Sequence, residues 1–131
     1  MNAHPIRRRG AAAVEVALTA PLLFLMFFAG LEFAQANMVR NIAKNAAFEG
    51  ARAGILPGAV AQDSIDEANA ELGKLQITGA TVIVNPTVIT HTTPQVTVSV
   101  TVPLSQNALP MSHFVMGKTL VQSITLAREI D

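Results

Sequence analysis

No cysteine, tryptophan or tyrosine occurs among the 131 residues. The first absence excludes disulfide scaffolds, cysteine-based zinc sites and thiol catalysis. The lack of tryptophan and tyrosine leaves little on which sugars or bases would stack. The six phenylalanines fall mainly in one N-terminal apolar stretch. Charge is also scarce: 14% of residues are charged, against about 25% in ordinary soluble proteins. The formal net charge is zero, so nothing in the total points to nucleic acid as a partner. The three histidines, His4, His91 and His113, are far apart in sequence. Without cysteine they do not suggest a metal site, and they read as solvated loop residues. No phosphate-binding glycine loop or nucleophile motif is present; Ser105 and Ser112 read as loop positions. The sequence therefore offers no catalytic, cofactor-binding or metal-binding residue set, and enzyme activity is not expected.

What the chain does have is a long apolar run. Residues 11–31 read AAAVEVALTAPLLFLMFFAGL, 21 positions with a single charge, Glu15. As an α-helix this stretch spans about 30 Å, the thickness of a bilayer's hydrocarbon core. A domain this small cannot easily surround a helix that is apolar on all sides. Arg7, Arg8 and Arg9 directly precede the run, whereas Arg40, Lys44 and Arg52 are spread out beyond it and Glu32 is the nearest charge. The positive-inside rule then places the N-terminus in the cytoplasm and the rest of the chain outside.

A secretory signal peptide competes with this anchor. The arginines would be its basic region, residues 22–31 its apolar centre and Ala34-Gln35-Ala36 its cleavage site. Against it, the apolar stretch is longer than usual and Glu15 interrupts it. The alternatives are thus a binding module secreted after Ala36, or an anchored extracytoplasmic domain that is never processed and binds an envelope ligand. Glu15 separates the readings. Deep in lipid a carboxylate costs about 2.5–3.5 kcal/mol or more. Near a helix start the interface is close and the helix dipole favours negative charge. Either Glu15 is simply tolerated there, or it pairs with a positive group: the arginines or a newly made α-amino group.

Nothing after Leu31 breaks the helix before Pro57-Gly58. One long helix is expected from about Ala11 to Ile55, its second part (residues 32–56) amphipathic. Val39, Ala43, Ala46, Gly50 and Gly54 recur every three or four residues and form a smooth stripe for close approach. Packing on the chain's own sheet is preferred to helix–helix assembly as its use, with Met38, Ile42 and Phe48 adding bulkier contacts. Glu49 and Arg52 read as an ordinary surface pair. Ser64-Ile65-Asp66-Glu67 has capping-box spacing, so a second short helix should end near Gly73, with Ile65, Ala68 and Leu72 on one face. That helix also accounts for the acidic residues there without a metal. From Leu75 the period becomes two. Strands are expected at residues 80–85, 95–102 and 118–127; residues 108–116 are ambiguous. Val96, Val98, Val100 and Val102 should face the core, opposite Thr97, Ser99 and Thr101, while Gln122 interrupts the apolar face of the last strand. The fold class is α+β: a long N-terminal helix, a short second helix and a small antiparallel sheet covered by the amphipathic half of the first.

Residues 7–33, RRRGAAAVEVALTAPLLFLMFFAGLEF, resemble the start of TadE-like proteins, minor pseudopilins of tight-adherence (Flp-type) pilus systems. The resemblance rests on the basic leader ending at Gly10, the small residues Ala11, Ala12 and Ala13, and Glu15 as the fifth residue after the glycine. Pro21 in the leucine- and phenylalanine-rich span, Glu32-Phe33 and the later FEGAR (residues 48–52) add to it. Val16 follows the glutamate where many members carry an aromatic residue. The resemblance implies a leader at residues 1–10 removed by a prepilin-type peptidase between Gly10 and Ala11, and a role for Glu15 in processing or assembly. It further implies a membrane helix at 11–31, an extension at 32–56 and an extracytoplasmic α+β domain at 57–131. The implied place is the bacterial inner membrane, and the implied partners are the peptidase, other pilin-like subunits and the pilus assembly platform.

Overall fold

The computed structural model describes residues 6–108 and 114–129; His4, Pro110, Ser112 and His113 fall outside them. Its dominant element is α1 (Ile6–Gly54), an unbroken helix of 49 residues. The helix starts before the expected Ala11, so the backbone of residues 7–10 continues it. Pro21 lies inside α1. It lacks the N–H that would bond the carbonyl of Ala17, yet the helix runs through it.

A turn around Pro57 and Gly58, the latter at φ +80°, reverses the chain into α2 (Ala61–Lys74). The start of α2 corrects the reading of Ser64 as its cap. Val60 occupies the capping position, and its N–H donates to Asp63 Oδ2 at 2.8 Å. Valine has no side-chain acceptor to return the bond, so the carboxylate alone serves the helix start. Ser64 instead falls one helical repeat before Ala68 and two before Leu72, and all three are buried.

The remaining elements form one three-stranded antiparallel sheet in the order β1 (Thr81–Asn85), β2 (Gln95–Pro103) and β3 (Thr119–Ala127). A single helical turn, α3 (Leu104–Asn107), follows β2. The alternation read in β2 is realised in full: Val96, Val98, Val100 and Val102 are all completely buried. Burying each contributes about 1.5–3 kcal/mol. Register places Val82 and Val84 beside Val100 and Val98 on one side, and Leu126, Ile124, Gln122 and Leu120 beside the four valines on the other. Gln122 thus does interrupt the helix-facing row of β3. On the outer face, hydroxyls pair across strands: Thr97 with Thr125 at 2.8 Å and Ser99 with Ser123 at 2.6 Å.

The core lies between this sheet, α2 and the second half of α1. Val39, Ala43, Ala46, Ala47 and Ala51 are buried there. The small-residue stripe is therefore used within the chain, and it is wider than expected because α1 meets two partners. A Cβ built on Gly50 would lie 2.7 Å from the Ser64 carbonyl oxygen and 3.0 Å from Ala68 Cβ. One on Gly54 would meet Ser64 Oγ and Val96 Cγ1. Helix, helix and central strand approach most closely at these glycines. Ile42 is buried as expected, but Met38 and Phe48 are exposed. Phe48 lies nine residues after Val39, which is half a revolution away at 3.6 residues per turn.

Candidate functional site

The first half of α1 makes no core. From Gly10 to Leu31 every residue is exposed except Ala20 and Ala29, which are half-buried. Exposed side chains include Val14, Leu18, Leu22, Leu23, Phe24, Leu25, Met26 and Phe27. The segment is long and apolar enough to cross a bilayer, with mean hydropathy 2.1 over its most apolar window. An apolar helix that its own chain leaves uncovered needs a non-aqueous surrounding. By length and composition this stretch is a candidate membrane span.

The residues singled out in the sequence lie along it. Gly10 and Ala11 are exposed on the helix, and a Cβ on Gly10 would meet nothing within 4 Å. Glu15 is exposed, and no side-chain partner for it occurs among the described residues. Ala11 and Glu15 are four residues apart and so share a helix face. Helical side chains lean toward the helix N-terminus, so the Glu15 carboxylate covers the turn that begins at Ala11. One turn further, the Thr19 hydroxyl donates to the Glu15 carbonyl at 2.9 Å. That bond satisfies a hydroxyl that lipid would leave without a partner. Arg7, Arg8 and Arg9 contribute helical backbone ahead of Gly10.

The end of the apolar stretch holds a residue whose role the sequence did not reveal. Glu32 follows Leu31 immediately, yet it is only 4% exposed. Its Oε2 accepts the Phe114 N–H at 2.8 Å. One turn on, Gln35 Nε2 donates to the Asn107 carbonyl at 3.1 Å. Asn107 is itself a junction. Its side chain accepts from Thr78 N–H at 2.9 Å and donates to the Thr78 and Pro103 carbonyls at 2.8 and 2.9 Å. The two ends of the segment joining α3 to β3 are thus stitched to α1 where the helix leaves its apolar half. In sequence Glu32 stood out only as the first charge after the run; its partner is 82 positions away.

The opposite end of the domain holds an open cleft of about 480 Å³, lined by residues that include Leu56, His91, Arg128 and Glu129. Arg128 is committed to structure there. Its guanidinium donates to the carbonyls of Thr90 at 2.9 Å and Leu56 at 3.2 Å, tying two loops to the end of β3. His91 is exposed, as expected of a loop residue. Among the described residues, no three histidine or acidic side chains are grouped so as to hold a metal ion.

Residues 10–52 match the family model of TadE-like proteins. The matched stretch begins at Gly10 and ends within the packed half of α1, so it covers less than half of the chain and is similar to TadE-like proteins there. No curated protein and no solved structure matches the chain.

Proposed function

We propose that this protein is a minor pseudopilin of a Flp-type pilus, made as a precursor and cut by a prepilin-type peptidase between Gly10 and Ala11. Residues 11–31 hold it in the bacterial inner membrane, with the N-terminus cytoplasmic and the sheet domain outside. It joins other pilin-like subunits and the assembly platform through its N-terminal helix and helps assemble the adhesive pilus. The observation that carries this reading is the uncovered apolar half of α1, whose one charge, Glu15, sits one turn after Ala11. The match over residues 10–52 supports it.

The chemistry is coherent. Cleavage would remove Arg7, Arg8 and Arg9 and create an α-amino group with an ordinary pKa of about 8, cationic at neutral pH. The Glu15 carboxylate lies on the same helix face as that group. The two could pair within one chain, or between neighbouring helices, where pairing would set their axial register. In a poorly solvated site such a pair counts for more than on a wet surface. A helix packed out of register would leave Glu15 buried without a partner, which is strongly unfavourable.

Secretion after Ala36 is the weaker reading. It would remove Glu32 and Gln35, and with them the Phe114 and Asn107 attachments. The test is Glu15→Ala in the native host, read by piliation and by cross-linking between subunits. The pseudopilin reading expects both to be impaired while the sheet domain stays folded. Normal piliation and unchanged cross-linking would show that Glu15 does not pair as proposed.

A further inference from the structure

We propose that residues 114–117, just ahead of β3, are a second membrane contact, in which the exposed side chains of Phe114 and Met116 enter the interfacial layer of the bilayer that holds α1. This rests on the reading of residues 11–31 as a membrane anchor. The domain then lies against the lipid surface instead of standing away from it on a helical stalk.

The first argument is position. Glu32 is the residue after the apolar run, and it holds the Phe114 backbone by a 2.8 Å hydrogen bond. Phe114 is therefore fixed at the level where α1 leaves lipid. The bond between Gln35 and Asn107 fixes the end of α3 one helical turn higher. The second argument is orientation. Val115 is buried in the core at 5% exposure, whereas its neighbours Phe114 and Met116 are 48% and 63% exposed. Burial of Val115 turns the large apolar side chains on either side of it outward. Gly117, at φ +76°, then reverses the chain toward β3.

The third argument is composition. Residues 104–119 contain no acidic residue and one lysine, Lys118. A bilayer surface with anionic headgroups attracts that charge and would repel carboxylates. The end of the domain far from the anchor also exposes apolar side chains such as Leu56, but there an acidic residue, Glu129, stands beside His91 and Arg128 around the cleft. Large apolar side chains beside a cationic residue form the usual interfacial pattern of membrane-bound elements. The Glu32 bond to the Phe114 N–H puts this pair beside the end of the apolar stretch of α1, so one occupant, lipid, would cover both.

The absence of cysteine allows a direct test, because a single introduced thiol can be labelled without background. Met116→Cys, Leu25→Cys and His91→Cys are each labelled with nitrobenzoxadiazole in the full chain and reconstituted into phosphatidylethanolamine/phosphatidylglycerol vesicles. Lipids spin-labelled at shallow or deep acyl positions serve as quenchers. The expected result is a blue-shifted emission at position 116 that is lost with the shallow quencher, strong loss at position 25 with the deep one, and no change at position 91. If position 25 is quenched but position 116 behaves like position 91, the second contact is overturned and the anchor stands. If position 25 is not quenched either, the anchor reading fails and the inference fails with it.

Discussion

The two halves of α1 are one helix in backbone and two different objects in chemistry. Between Gly10 and Leu31 the side chains are large, apolar and uncovered. Between Glu32 and Gly54 the inward side chains are mostly alanine and glycine, and they are buried. Charge separates these halves first: residues 10–31 carry one charged side chain, Glu15, and residues 32–54 carry five, Glu32, Arg40, Lys44, Glu49 and Arg52. The size of the side chain at the contact separates them further. Small residues let α2 and the sheet come close to the helix backbone, so a protein surface can cover it. Bulky residues on every side leave no face for a small domain to cover, and on the proposed reading lipid covers them instead.

The sharpest way to break this comparison is to put one substitution in both halves. Gly50→Leu should destabilise the folded domain toward the upper end of the 1–3 kcal/mol typical of overpacking, because even a Cβ would sit 2.7 Å from a backbone oxygen of α2. Gly30→Leu should leave the melting temperature unchanged, since a Cβ there meets nothing within 4 Å. Thermal unfolding of the full chain in detergent, followed by circular dichroism, reads both. Equal losses from the two would remove the distinction between the halves.

The junction between the halves should respond next. Glu32→Ala leaves the Phe114 N–H without its carboxylate, at a cost of about 1.5 kcal/mol, the low end for a bond to a charged group, because the bond is only part-buried. Glu32→Gln keeps an acceptor oxygen and should lose less. Hydrogen exchange at the Phe114 amide would report the difference: fast in the alanine variant, intermediate in the glutamine variant. Equal exchange in all three forms would show that Glu32 does not hold this segment.

The smallest effect has the opposite sign. Ser64 Oγ is buried beneath Gly54 with no hydrogen-bond partner. A buried hydroxyl without a partner is unfavourable, so Ser64→Ala should stabilise the domain by about 1 kcal/mol. Chemical denaturation would detect that gain, and a loss would mean that the hydroxyl is satisfied in solution.

These contrasts also explain how far the sequence could be read. The strands were legible because β2 alternates valine with hydroxyl residues over its full length, and only one register buries all four valines. The long helix was legible from composition and the absence of any breaker between Leu31 and Pro57; it also runs through Pro21. The start of α2 was misplaced because Ser64 has the chemistry of a cap, while its neighbour Asp63 takes that role and Ser64 packs under a glycine. Met38 and Phe48 were assigned to the core because they are apolar, but which side of α1 is covered depends on where α2 and the sheet dock. The Glu32–Phe114 bond had no local signal, since no periodicity links residues so distant in the chain. Glu15 was the reverse case: conspicuous in sequence as one charge in an apolar run, yet with no side-chain partner among the described residues.

The central claim is that residues 11–31 anchor the mature chain in the membrane after cleavage behind Gly10. It is tested most directly by the N-terminal sequence and intact mass of the protein from its host's membrane fraction. The account predicts a chain that begins at Ala11 and stays in the membrane. A soluble chain beginning at Asn37 would contradict it, because both the anchor and Glu32 would then be missing from the mature protein.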